Sequence, residues 1–250
     1  MPGSLRLTFL GHATVLIELD GVRILTDPIL GHRVGPLRRS GPTPDPAEIG
    51  PVDGIVISHG HPDHFQRRSV RAVEGGPLVV VPRGLGASAA RTGSRVHEVT
   101  VNDRLDIGGV RITAVPARHG RWPIHREARP IGFLIEGSRS VYFAGDTTLL
   151  PGMARLAGHV DVALLPVGRW GPPRGPARLT PATAVDAATL VGARTAIPIH
   201  WGTLYLPGFG SGRWGWGSFE AGDAFAAEAA ERRPDLDVRV LRPGESTDID

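Results

Sequence analysis

The 250-residue chain has no cysteine. Disulfides, thiolate ligands and a cysteine nucleophile are excluded together, so any metal must be held by histidine and carboxylate. Lysine is absent too, and all 28 basic residues are arginine. An all-arginine surface favours bidentate contacts with phosphate or carboxylate, although a compositional bias of the source would leave the same mark. No block of five like charges occurs, so nothing reads as a nucleic-acid tail. No apolar run approaches the ~18 residues of a membrane span. The opening stretch "MPGSLRLTFLGHATVLIEL" lacks a basic leader and is interrupted by His12 and Glu18. It reads as mature protein, and the expected location is cytoplasmic.

What is present is enough for a folded, loop-rich domain. Hydrophobic residues make up 41%, and 34 glycines with 23 prolines fall just short of the roughly 25–30% that marks unstructured compositions. No low-complexity linker divides the chain, so residues 1–250 are read as one domain. "VLIEL" and "VRILT" around Asp20-Gly21 predict a two-residue hairpin. The five prolines between Gly31 and Pro51 predict a surface loop without a regular element. Further strands are expected at 54–58, 77–82, 95–99, 103–107, 110–116, 132–136, 140–144, 161–166 and 196–200. Helices are expected after Asp63, around 85–91 and 150–157, from Thr180 to Leu190 and over 218–233. Thr180-Pro181 has the chemistry of an N-cap and first turn. Strands come in runs rather than alternating with helices, which favours packed mixed sheets flanked by helices.

The chemistry is concentrated in "ISHGHPDH" (57–64), where three of the ten histidines and an aspartate fall within six positions. Chance would place this pattern in about one such chain in a thousand. Pro62 biases His61 towards an extended backbone, so His59 and His61 should project from the same side of a strand end. Asp63 is positioned to cap the helix after it, with His64 in the first turn and aimed elsewhere. Two centres are implied. Three other apolar runs end in ligand-type residues: "VPARHG" in His119, "YFAGDTT" in Asp146 and "IPIHWGT" in His200. The lone histidines His32, His97, His125 and His159 read as ordinary surface or core residues. "FLGHAT" (9–14) and "FAGDTT" (143–148) echo one another as Phe-x-Gly-x-x-Thr, which fits two similar halves.

The ordered series "SHGHPDH", His119, Asp146, His200, with the flanks "FLGHATVLIEL", "LTDP", "AGDT" and "IHWGT", resembles the motifs of the metallo-β-lactamase-fold superfamily over residues 9 to 204. The flanks look most like the branch of phosphorylated-ascorbate lactonases and N-acyl-phosphatidylethanolamine phospholipases of D type. The resemblance implies an α+β fold, a four-layer αββα sandwich with metals at one edge of its sheets. It implies two divalent ions, zinc first with manganese or iron(II) admissible. His59, His61 and His119 would hold one, Asp63, His64 and His200 the other, and Asp146 would bridge them. Asp27 in "LTDP" would be the buried carboxylate that orients a ligand imidazole. Such ions, ~3.5–4 Å apart, would activate a water at neutral pH, so no side-chain nucleophile is required. The catalytic candidates are thus Asp63 and Asp146, with His12 in "GHAT" as a candidate acid or pocket residue.

There is one departure. Relatives on the phospholipase side carry Gly-Pro-x-His-x-Asp-Pro, whereas "GPARLTP" here puts Arg178 and Thr180 in place of the histidine and aspartate, so a lipid substrate is not carried over. Two Gly/Pro loops (168–181 and 206–219), Arg121 and "PLRRS" add arginine and tryptophan. Arg118, Trp170 and Arg178 are the substrate-binding candidates, for an anionic group beside an apolar body. The expected activity is hydrolysis of a small phosphodiester or phosphorylated substrate, with a lactonase or other carboxylic-ester hydrolase as the alternative. A non-catalytic metal- or lipid-binding module, touching membranes peripherally, is a further class. A nucleic-acid partner is not expected, because no gripping domain fits between Asp146 and His200.

Overall fold

Period-two alternation in the first strands puts one face of each towards a shared interior. The computed structural model describes residues 4–120, 128–168, 178–208 and 220–250. In chain order the strands are β1 (Leu5–Gly11), β2 (Thr14–Leu19), β3 (Val22–Thr26), β4 (Arg33–Val34), β5 (Leu37–Arg39), β6 (Gly54–Val56), β7 (Leu78–Pro82) and β8 (Arg95–Val99). They continue with β9 (Arg104–Ile107), β10 (Val110–Pro116), β11 (Ile131–Glu136), β12 (Ser140–Phe143), β13 (Val162–Pro166), β14 (Thr195–Ile199), β15 (Leu204–Tyr205), β16 (Asp237–Val238) and β17 (Ser246–Ile249). The helices are α1 (Pro46–Ile49), α2 (Arg67–Ala72), α3 (Gly86–Ala90), α4 (Pro181–Val191) and α5 (Ala221–Arg232), with a 3-10 helix at Pro151–Leu156.

One seven-stranded sheet has the order β17-β1-β2-β3-β6-β7-β8, the other β16-β14-β13-β12-β11-β10-β9. Each is antiparallel over one part and parallel over the other. Three cores separate four layers. Leu7, Ile17, Ile24 and Val80 meet Ile112, Phe133 and Leu164 between the sheets. The next residues over, Ile55, Val79 and Val81, face the other way and pack on Val70 of α2 and Ala89 of α3. On the outer face of the second sheet, Leu134, Tyr142 and Leu165 lie under Ala184 and Ala188 of α4 and Phe225 of α5. This is the αββα sandwich of an α+β protein.

Local chemistry explains several elements. Asp20 (φ 53°) and Gly21 (φ 81°) are both left-handed, the conformation that a two-residue hairpin turn demands. Thr180 caps α4 in a reciprocal arrangement with Thr183, and Pro181 opens the helix. Two expectations fail. The proline-rich stretch is not irregular: it contains β4, β5 and α1, and β4 and β5 form a small third sheet with β15 around Ile29, Val34, Leu37 and Leu204. Nor does Asp63 cap a helix, because residues 62–64 form a turn in which His64 and Phe65 N–H both bond His61 O, and α2 begins at Arg67 behind Gln66. Among the described residues no helix is long and apolar enough to cross a membrane.

Candidate metal centre

Strands from both sheets end at the same edge, and the residues just past those ends converge. Backbone bonds join the two sheets there: Ile131 N–H donates to Ser58 O at 3.0 Å, and His200 N–H to His12 O at 2.6 Å. The loops after β10 and β12 are stitched by Arg118 N–H to Thr147 Oγ1 at 3.1 Å and Thr148 N–H to Arg118 O at 2.9 Å, which sets His119 beside Asp146. Gly145 (φ 57°) brings its loop against Ser58, where a Cβ would lie 2.5 Å from the serine Cβ. His12 (φ 58°), Asp27 (φ 32°) and His200 (φ 61°) all have left-handed backbone, an unfavourable state for such residues that surrounding structure must impose.

Two groups of donors result. Ligand atoms of His59, His61 and His119 lie within 4.8 Å of one another, and so do those of His12, Asp63, His64 and His200. Asp146 stands between the groups: its carboxylate is 3.4 Å from His119 Nε2, 3.6 Å from His64 Nε2 and 3.3 Å from His200 Nε2. All these residues are buried except His61, which is partly exposed and marks the open side. Asp27 lies behind the cluster at 0% exposure. Its Oδ2 is 2.7 Å from His64 Nδ1 and accepts Ser58 Oγ–H at 2.5 Å, while Oδ1 accepts Ser58 N–H at 2.7 Å.

Burial dominates the electrostatics. It pushes the His12 imidazole down to about 3 and His119 to about 4, and lowers His59 and His61 as well. These rings are therefore neutral, the form that ligates. Burial also opposes charge on Asp63 and Asp146, yet the imidazoles around them, His64 and His200 foremost, hold both carboxyls well below the usual range. His64 shows the converse balance. Burial disfavours its charge, but Asp63, Asp146 and Asp27 raise its pKa well above the ordinary value. A cluster with two buried carboxylates requires a compensating cation, and a metal ion is the alternative to a proton on His64.

The residues fit a metal. Buried polar atoms are normally paired, yet His59 Nε2, both ring nitrogens of His119 and His200, and both carboxylate oxygens of Asp146 are buried without a hydrogen bond among the described residues. These are nitrogen and oxygen donors of the kind that zinc, manganese and iron(II) accept.

Arg178 is brought to the centre, its Nε 4.0 Å from Asp146 Oδ2 with 15% of the side chain exposed. Arg118 contributes backbone contacts while its side chain is exposed. Trp170 lies outside the described residues, as do His125 and Arg121. His32, His97 and His159 are exposed and apart from the cluster. His12 proves to be a member of the cluster, its Nε2 3.0 Å from Asp63 Oδ2 and its N–H bonded to Thr203 Oγ1 at 2.7 Å. Sequence reasoning missed Ser58 and Thr203. Arg39, expected from "PLRRS" to stand on a pocket rim, is instead a buried guanidinium that donates to Leu10 O, Ile29 O and Gly31 O and so ties together the loops carrying His12 and Asp27. No local pattern marked Ser58 or Thr203, whereas the Phe-x-Gly-x-x-Thr echo did mark the site, since its fourth positions, His12 and Asp146, both lie in the cluster.

Residues 22–201 match the family described as "Beta-lactamase superfamily domain". A UPF0173 metal-dependent hydrolase of Methanopyrus kandleri is 32% identical over 97% of this chain and 99% of its own length. An uncharacterized protein of Mycobacterium tuberculosis is 33% identical over 81% of this chain, which spans 60% of that longer protein. Among solved structures, Igni18, a metallo hydrolase from the archaeon Ignicoccus hospitalis, superimposes with a TM-score of 0.75 at 22% identity, covering 99% of both chains.

Proposed function

This chain belongs to the β-lactamase superfamily, among its metal-dependent hydrolases, and on that premise we propose that it hydrolyses a small anionic ester at a centre of two divalent ions, zinc foremost. The observation that carries this reading is the convergence of His59, His61 and His119 on one side and Asp63, His64 and His200 on the other, with Asp146 between them, where ligand atoms of His59, His119, His200 and Asp146 are buried without a hydrogen bond among the described residues. His59, His61 and His119 would hold one ion and Asp63, His64 and His200 the other, with Asp146 shared. When bound, such ions lower the pKa of water towards neutrality and polarise the ester oxygen.

The chain's own groups do the rest. Asp27 fixes the His64 ring through Nδ1, leaving Nε2 turned into the cluster. His12 steadies the Asp63 carboxylate through Oδ2. His12 is buried at 2% exposure, which favours this positioning role over proton donation to a leaving group. Arg178, permanently charged and beside Asp146, suits an anionic substrate oxygen. It favours a phosphodiester or phosphorylated substrate over a neutral lactone. The test is a panel of phosphodiesters, lactones and thioesters given to zinc- or manganese-loaded protein, with His61→Ala as control. Turnover of phosphodiesters that is lost in the variant is the expected result. No turnover of any member would overturn the reading, and turnover of lactones alone would replace the phosphoester assignment.

A further inference from the structure

The small third sheet carries one buried charge, Arg39 on β5, at 7% exposure. A buried guanidinium is normally paired with a carboxylate, yet Arg39 has no such partner among the described residues, and its N–H groups go to three main-chain carbonyls instead. The positions of those carbonyls explain the arrangement. The pairing of β1 with β2 slips between Phe9 and Gly11, and Arg39 Nη1 donates to Leu10 O there at 3.0 Å. Nη2 donates to Ile29 O, and Nε to Gly31 O at 3.4 Å. Gly11 leaves room for this approach, because a Cβ at that position would lie 2.6 Å from Nη1. The planar fork thus clamps two segments whose left-handed residues, His12 and Asp27, each stand two positions from a bonded carbonyl.

The same strand reaches a third ligand-bearing segment. Ser40 N–H donates to Thr203 O at 2.7 Å, Thr203 Oγ1 accepts the His12 N–H at 2.7 Å, and Arg39 pairs with Leu204 of β15. Each donor assigned to the second ion alone therefore traces back to β5: Asp63 through His12, His64 through Asp27, and His200 through the segment that ends at Thr203. The first donor group is built differently. Among the described residues no hydrogen bond from the third sheet reaches His59, His61 or His119. Ser58 Oγ does relay Asp27 to His59 Nδ1 at 3.0 Å, but the carbonyl of Ser58 is held separately by Ile131 N–H.

We propose that Arg39 is a positioning residue for the second ion and not for the first. It is no ligand itself; its guanidinium and its strand hold the His12, Asp27 and Thr203 segments in register, so that Asp63, His64 and His200 present their donors to one point. This assignment rests on the two-ion reading above. It makes the two centres unequal, with retention of the second ion governed by the third sheet.

The test is zinc titration of the full-length chain against a chromogenic chelator, with bound zinc counted after desalting and circular dichroism to check the fold. Wild type should hold two ions, and His61→Ala should weaken the first, which labels the two phases. Arg39→Lys keeps the charge but loses the fork, so it should weaken the second ion about 10-fold and shift the first by less than about 2-fold. Thr203→Val removes the acceptor of the His12 N–H and should give the same selective loss, which decides the matter should the lysine variant fold poorly. A general loosening of the fold would lower both affinities alike. Equal weakening of both ions, weakening of the first alone, or unchanged binding in folded variants overturns the assignment. A wild-type chain that holds a single ion overturns the two-ion reading, and the assignment with it.

Discussion

Asp27→Asn is close to isosteric, yet it should disable the centre from behind. In the native protein one carboxylate accepts three hydrogen bonds at 2.5–2.7 Å, from Ser58 N–H, Ser58 Oγ–H and His64 Nδ1. An asparagine offers one oxygen and one NH2. If its oxygen stays with Ser58 N–H, the amide N–H faces the ring N–H of His64; if it flips, the amide faces the serine N–H. Either way two buried donors oppose each other, and the charge that makes His64 a stronger ligand is gone. Loss of an outer carboxylate partner of this kind typically costs 10–100-fold in metal affinity, about 1.4–2.7 kcal/mol. The assay is competition with a chromogenic zinc chelator near neutral pH, run beside circular dichroism to establish that the variant is folded. A folded Asp27→Asn protein that binds zinc as tightly as wild type would refute the argument that His64 is held from behind.

Four further outcomes follow from the same geometry. In chelator, urea denaturation should show stability falling as pH drops from about 6.5 to about 4, by roughly 1.4 kcal/mol per pH unit for each of His12, His59 and His119. Their depressed pKa values mean that the unfolded chain takes up protons in that window while the folded chain does not. His64, raised in the folded state, is protonated in both states there and adds no slope, so a flat profile would contradict the burial of neutral histidines. Gly168→Ala would drive a Cβ into His200 O and put it 2.8 Å from Trp201 Cα; it should cost about 1–3 kcal/mol in denaturant titration and displace His200, weakening metal binding in the same chelator assay. Arg178→Ala should lower kcat/KM for phosphodiesters by about 10-fold or more and affect neutral lactones far less; equal losses on both would remove the arginine from substrate recognition. Tyr142→Phe should raise stability by about 1 kcal/mol by deleting an unpaired buried hydroxyl, measured by denaturation midpoint, and a loss of similar size would mean that the hydroxyl is bonded in solution.

The convergence of the cluster was legible because ligand-type residues closing apolar runs end up together wherever strands share an edge. The hairpin at Asp20-Gly21 and the cap at Thr180 were legible because Asp-Gly between two apolar runs suits the left-handed two-residue turn and Thr-Pro suits an N-cap with its first helical position. What was hidden depends on distant partners. β17 finds its place only by pairing with β1, and β4 and β5 are strands only because β15 and a small apolar cluster receive them. Asp63 resembled a cap because aspartate is a favoured N-cap residue just ahead of an expected helix, but its carboxylate is drawn to His12, 51 positions away, and the helix starts later. No local pattern could reveal that contact.

The left-handed backbone at His12, Asp27 and His200 has a consequence for anyone improving the protein. Glycine at His12 or His200 would relieve torsional cost, whereas at Asp27 it would strip the acceptor from three buried donors, so a campaign that rewards heat tolerance alone is expected to accept the histidine exchanges and breed robust variants that have forfeited their metal. Pairing every round with a zinc-retention screen would keep the two properties from being traded away unnoticed.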